Sequence, residues 1–252
     1  MKLQNRKLFN PYFPFGYPTL PASVDVIEAL AKNGADVIEI GMSFSDPLAD
    51  GPVIQQATQA ALNNGVTIAK TFAAVKELRQ RGVETPLVLM GYYNPLLAYG
   101  LKKFVADCQA VQIAGLIIPD LPIEEAGELR AVLGDIPLIQ MIAPTTPPDR
   151  IAELAANAGG FIYLVSFAGI TGSGHQFSQA LPALITEIRK HTKLAVCIGF
   201  GVNSTQKAVE MAAMADGVFV GTHLVREAGT AANPAETAAR IAREFRAALD
   251  GK

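Results

Sequence analysis

Two carboxylates in one short stretch are the first residues of this chain whose placing suggests chemistry. In DVIEIGMSFSDPLADGPVIQ, alternation along the apolar run puts Val37, Glu39 and Gly41 on one face and Ile38 and Ile40 on the other. If the isoleucines pack outward, Glu39 points into the interior, where burial disfavours the charged carboxylate and raises its pKa toward the range of a general acid/base. A structural glutamate paired with Lys or Arg is the alternative. Asp50 follows 11 residues later, and a loop of that length can fold back so that both carboxyls share one cavity. One would then handle protons while the other accepts a hydrogen bond from a substrate N–H. An Asp before Gly is also a common turn residue, and that reading stays open.

A second signal is glycine-rich and comes in three pieces, LVSFAGITGSGHQFS, CIGFGVNS and VFVGTHL. Glycine lets a backbone approach phosphate oxygens closely. Gly201 and Gly221 fall in the last two pieces, and Thr222 stands where a short phosphate-binding helix would open. The pattern suggests a small phosphorylated substrate.

Short runs rich in Val, Ile and Leu must position these loops. Strands are expected near Tyr12 to Phe15, Val37 to Gly41, Leu87 to Gly91, Gly115 to Ile118, Leu138 to Ile142, Phe161 to Val165, Leu194 to Gly199 and Gly217 to Val220. They are uniformly apolar, as buried parallel strands are. Between them SVDVIEALAKNG and PPDRIAELAANAGG have helical spacing, the first ending on Gly34 and the second opening on prolines and ending on Gly159; later helices are expected to start at Ser178, Ser204 and Pro234. Eight such alternations in 252 residues match an α/β chain folded as a single (β/α)₈ barrel, residues 1–252 forming one domain, with a doubly wound open sheet as the rival. In a barrel the chemistry sits on the loops that follow the strands, where both signals fall.

Composition removes other classes. Half the residues are hydrophobic and 17% charged, which suits a large core and excludes a disordered chain. A net charge of -2 without a basic block argues against nucleic acid. The apolar runs are far short of a membrane span, and FPFGYP interrupts any export signal after the N-terminus, so a soluble cytoplasmic protein is expected. Cys108 and Cys197 stand alone and read as small buried hydrophobes. His175, His191 and His223 lack metal-ligand spacing, and no metal is expected. His191, near an expected helix end, reads as a dipole partner.

The stretch EIGMSFSDPLADGPVIQ closely resembles the signature of the tryptophan synthase alpha subunit family. The resemblance continues through MGYYNP, LIIPDLPIEE, IYLVSFAGITG, IGFGV and DGVFVGT over essentially the whole chain. It implies a (β/α)₈ barrel that cleaves indole-3-glycerol phosphate to indole and glyceraldehyde 3-phosphate without metal or cofactor, pyridoxal phosphate belonging to a beta-subunit partner in an alpha2-beta2 complex. It makes Glu39 the general acid/base, Asp50 the acceptor of the indole N–H and Tyr163 the active-site tyrosine. By the same resemblance Tyr12 and Tyr92 wall the indole pocket, Thr171 positions Asp50 when the lid closes, and Gly172, Gly201, Gly221 and Thr222 hold the phosphate. Phe167, Ser43 and His223 depart from the family pattern in regions that bear on lid and partner, and the N-terminal helix is shortened. A free-standing lyase that releases indole, or a weak barrel that mainly activates a beta subunit, are the alternatives.

Overall fold

The computed structural model describes residues 3–166, 174–199 and 201–251, the side chains of 174–180 excepted. Eight strands, β1 Leu8–Pro14, β2 Ile38–Gly41, β3 Leu87–Met90, β4 Gly115–Ile117, β5 Leu138–Ile142, β6 Phe161–Val165, β7 Ala195–Gly199 and β8 Gly217–Val220, close in sequence order into a parallel barrel. The helices around it are α1 Leu20–Lys32, α2 Pro52–Asn63, α3 Ile68–Gln80, α4 Tyr93–Tyr99, α5 Leu101–Ala110, α6 Gly127–Leu133, α7 Pro148–Ala156, α8 Gly174–His191, α9 Thr205–Met214, α10 Thr222–Thr230 and α11 Pro234–Leu249. The closed sheet rules out the doubly wound rival.

The first strand starts earlier than expected. Asn10 and Pro11 look like strand breakers, but β1 divides its pairing: Leu8 to Pro11 lie beside β8, and Tyr12 to Pro14 beside β2. Phe15 falls just beyond the strand. Helix α1 likewise opens at Leu20, not Ser23. Thr19 caps it through Oγ1, which accepts from the Ala22 N–H at 3.3 Å, and Pro21 occupies its first turn. Ser23 Oγ instead donates to the Leu20 carbonyl at 2.8 Å and accepts from the Gly16 N–H at 2.9 Å, locking the β1–α1 turn onto the helix. The expected opening at Ser178 is also corrected, because the chain is already helical from Gly174. By contrast Ser204 caps α9, accepting from the Lys207 N–H at 3.2 Å, and α11 opens at Pro234. His191 is the last residue of α8, beside Glu187 at 3.2 Å.

At the end of the barrel away from the loops that follow the strands, Asp36 ties the first and last parts of the chain together. Its carboxylate accepts from the Phe9 N–H at 2.8 Å, from Arg6 at 2.9 Å and from Arg246 of α11 at 2.9 Å. Its side chain is 1% exposed. The knot fixes β2 against β1 three residues ahead of Glu39. Both cysteines are buried, and burial pushes their thiols above the ordinary range, as inert small hydrophobes require.

Truncating Asp36 takes from the buried Arg246 its buried partner and leaves it only Asp250, at 2.6 Å, and it strips the Phe9 N–H of its acceptor at the closing seam. Asp36→Ala is expected to cost about 3 kcal/mol in urea unfolding; a loss below about 1 kcal/mol would contradict the seam's importance.

Candidate active site

Glu39 sits on β2 with Tyr12 of β1 and Val88 of β3 as its neighbours in register. Ile38 and Ile40 are fully buried on the opposite face, as alternation requires. The Glu39 side chain therefore enters the barrel, where it is 3% exposed and Oε2 has no hydrogen-bond partner. Burial first, and the Asp50 charge second, push its pKa up to about 8. No cation among the described residues offsets the shift, which removes the reading of a structural glutamate paired with Lys or Arg.

Asp50 lies on the loop 42–51, which is neither helix nor strand and ends where Pro52 opens α2. Its backbone closes a turn, its N–H donating to the Pro47 carbonyl at 3.1 Å, so the turn reading was right for the main chain. The side chain has separate work. Asp50 Oδ2 accepts from the Tyr92 hydroxyl at 3.0 Å, while the Tyr92 oxygen accepts from the Ala49 N–H at 3.0 Å. Burial pushes Asp50 up to about 6, opposed by the Tyr92 hydrogen bond.

Two tyrosines complete the interior, and two glycines make room for them. A Cβ on Gly41 would lie 2.3 Å from the Tyr12 hydroxyl, and a Cβ on Gly199 would lie 2.2 Å from that of Tyr163. Glycine inside a strand marks a close approach of this kind. Tyr163 stacks on Phe219 at 4.5 Å between ring centroids. Burial raises both phenols well above their ordinary value. The charges of Asp50 and Glu39 add to the rise at Tyr12, and that of Glu39 adds most, after burial, at Tyr163. Side chains from β1, β2 and β6, with Tyr92 from just beyond β3, thus meet in one mouth.

At the other side of that mouth, Gly201 follows β7 at a φ of +76°, a backbone that favours glycine. Gly221 is the N-cap of α10 and Thr222 its first residue, so the free N–H groups of that helix face the strand ends. Tyr12 bridges the two sides: the Cβ position of Gly221 lies 3.5 Å from the Tyr12 ring and its Cβ. Thr171, Gly172 and Phe167 lie outside the described residues. Sequence reasoning missed Ser166, whose Oγ donates to the Gly199 carbonyl at 3.0 Å and ties the ends of β6 and β7. It also missed the space-making roles of Gly41 and Gly199, which the position of glycine inside apolar strands could have signalled.

Comparison with known proteins agrees with this arrangement. The family model described as tryptophan synthase alpha chain matches residues 1–250. The tryptophan synthase alpha chain of Roseiflexus castenholzii is 43% identical over 253 residues, covering 100% of this chain and 96% of its relative. That of Chloroflexus aggregans is 46% identical over 227 residues, 89% of this chain and 85% of the relative. The chain belongs to the tryptophan synthase alpha chain family. Among solved structures, the Campylobacter jejuni tryptophan synthase subunit alpha superposes with a TM-score of 0.88 at 34% identity, covering 96% of this chain and 97% of the other. A ligand-free Mycobacterium tuberculosis tryptophan synthase gives 0.87 at 36% identity, with 97% and 94% covered. Membership bears out the barrel and the lyase activity in tryptophan biosynthesis that the sequence led us to expect.

Two departures from the family pattern can be placed. Ser43, on the Asp50 loop, has a buried Oγ without a hydrogen-bond partner. His223 is the second residue of α10, its ring 5.9 Å from that of Phe245 on α11, so it packs against a helix.

The Glu39 environment has a consequence for stability. The folded chain keeps a proton on Glu39 that the unfolded chain releases in the ordinary carboxylate range, so stability falls as pH rises from that range to about 8. Glu39→Gln removes this slope. Its gain in thermal midpoint over the parent is expected to be larger at about pH 8 than at about pH 5; an equal difference at both would contradict a protonated Glu39.

Proposed function

We propose that the chain cleaves indole-3-glycerol phosphate to indole and glyceraldehyde 3-phosphate at the barrel mouth, with Glu39 as the general acid/base. The observation that carries this reading is the pair of carboxyls in one mouth whose environments set them apart, Glu39 near 8 and Asp50 near 6. At neutral pH the first holds a proton and the second is an anion, which is the division of labour the reaction requires.

Glu39 gives its proton to C3 of the indole, turning the ring into an indolenine-like cation that can accept electrons. Asp50 accepts the hydrogen bond of the ring N–H and stabilises the positive charge as it develops. The Glu39 carboxylate then takes the proton of the adjacent hydroxyl on the glycerol chain. That oxygen becomes the aldehyde carbonyl, the C–C bond breaks, and its electron pair restores the aromatic indole. Glu39 ends protonated, as it began. Tyr12 and Tyr92 wall the indole, and Tyr163 packs beneath the reacting centre. Gly201, Gly221 and Thr222, with the N-terminus of α10, hold the phosphate by backbone N–H groups. Thr171 and Gly172 would complete the lid and the phosphate loop.

The chemistry is proton transfer and needs no cofactor on this chain. Among the described residues no group of three or more His, Cys, Asp and Glu is placed to hold a metal ion. Family membership supports a beta-subunit partner. We propose an alpha2-beta2 complex in which indole passes to the beta subunit, whose pyridoxal phosphate serves its condensation with serine. No helix among the described residues is long and apolar enough to cross a membrane. We propose a cytoplasmic enzyme on the ground of its biosynthetic family.

Steady-state cleavage with and without beta subunit tests this. Slow turnover that rises on adding the partner is expected, and Glu39→Gln should lose at least about a hundredfold in kcat while still binding substrate. Near-normal turnover in that variant would overturn the assignment. Full turnover by the chain alone would favour the free-standing lyase.

A further inference from the structure

Tyr92 holds the Asp50 loop at three points. Its hydroxyl accepts from the Ala49 N–H and donates to Asp50 Oδ2, each at 3.0 Å, so two successive residues of the loop are bound by one atom. Its ring lies 5.6 Å from that of Phe44, near the other end of the same loop. Tyr92 is itself fixed. It is 2% exposed and caps α4, whose first residue, Tyr93, donates its N–H to both carboxylate oxygens of Asp120 at 2.9 and 3.2 Å. A rigid element thus reaches up into an irregular loop and grips the functional side chain at its tip.

We infer that Tyr92 is the positioning residue of Asp50: its hydroxyl orients the carboxylate, occupies Oδ2 so that Oδ1 is left for the substrate N–H, and favours the anionic form. This goes beyond a pocket wall, and it rests on the proposed role of Asp50. A phenol that accepts one hydrogen bond donates a stronger one, and a donated O–H stabilises a carboxylate over a carboxylic acid. The groups whose charges bear on Asp50 are Glu39 from β2, Tyr12 from β1, Tyr163 from β6 and Tyr92 itself. None is a cation. Against burial, the Tyr92 hydroxyl is the group that holds Asp50 down.

Tyr92→Phe keeps the ring and its contact with Phe44 and removes both hydrogen bonds. In the complex with the beta subunit, the acid limb of kcat/KM is expected to move up by roughly one pH unit. The loss should be largest at low pH, and should fall on kcat more than on KM. In an Asp50→Ala background the same substitution should change kcat by less than about twofold, since a residue acting through Asp50 has nothing left to position. An equal loss at every pH, or an undiminished loss in the Asp50→Ala background, would overturn the inference. Direct titration of the Asp50 carboxyl by carbon NMR, in parent and Tyr92→Phe, decides it without the reaction. A higher midpoint in the variant supports the hold and an unchanged midpoint refutes it. If the parent cleaves no indole-3-glycerol phosphate, the proposed function fails while this titration still stands.

Discussion

A carboxyl placed inside a closed barrel, with no cation among the described residues to pair with, is the constraint on which this structure turns. Water would solvate Glu39 freely, whereas no described residue of the barrel offers Oε2 a hydrogen bond. The group responds by keeping its proton. The surroundings are consistent with that state. Tyrosines approach from β1 and β6, and Gly41 and Gly199 give up their side chains to admit them. The Asp36 knot meanwhile secures β2 from below.

The second carboxyl shows how the same mouth yields a different acid. Burial raises Asp50 as well, but it is half-buried on its loop and the Tyr92 hydroxyl opposes the rise, so it lies below Glu39. Two acids in one cavity thus have different resting charges: Glu39 is buried beside the Asp50 charge, whereas Asp50 is half-buried on its loop and accepts a hydrogen bond from Tyr92. On the proposed reading, that difference separates the residue that moves protons from the residue that stabilises charge. On the same proposed reading the phosphate half of the site works otherwise, by backbone at glycines and a helix end, which calls for no basic cluster in spite of an anionic substrate.

Much of this was legible in the sequence where the signal is local. Alternation along Val37 to Gly41 correctly turned Glu39 inward, because a strand has only two faces. The eight apolar runs announced the barrel, since parallel strands buried on both sides have no polar face. What local reasoning could not see are contacts between residues far apart in sequence. The grip of Tyr92 on Asp50 spans 42 residues, and nothing in MGYYNP indicates it. The expected strand at Tyr12 to Phe15 leaves out Leu8 to Pro11, because local propensity takes no account of a strand that pairs with one neighbour along its first half and another along its second. The apolar spacing that places a helix over SVDVIEALAKNG does not show its first turn, Leu20 to Ala22, where Thr19 is the cap and the Ser23 hydroxyl serves the turn before the helix.

The central claim is that Glu39 rests protonated at neutral pH. Infrared difference spectroscopy between the parent and Glu39→Gln reads it most directly, through the carbonyl stretch of a neutral carboxylic acid. The account predicts that this band is present at neutral pH, absent from the variant, and lost with a midpoint near 8. A band that disappears in the ordinary carboxylate range, with Glu39 fully ionised at neutral pH, would contradict it.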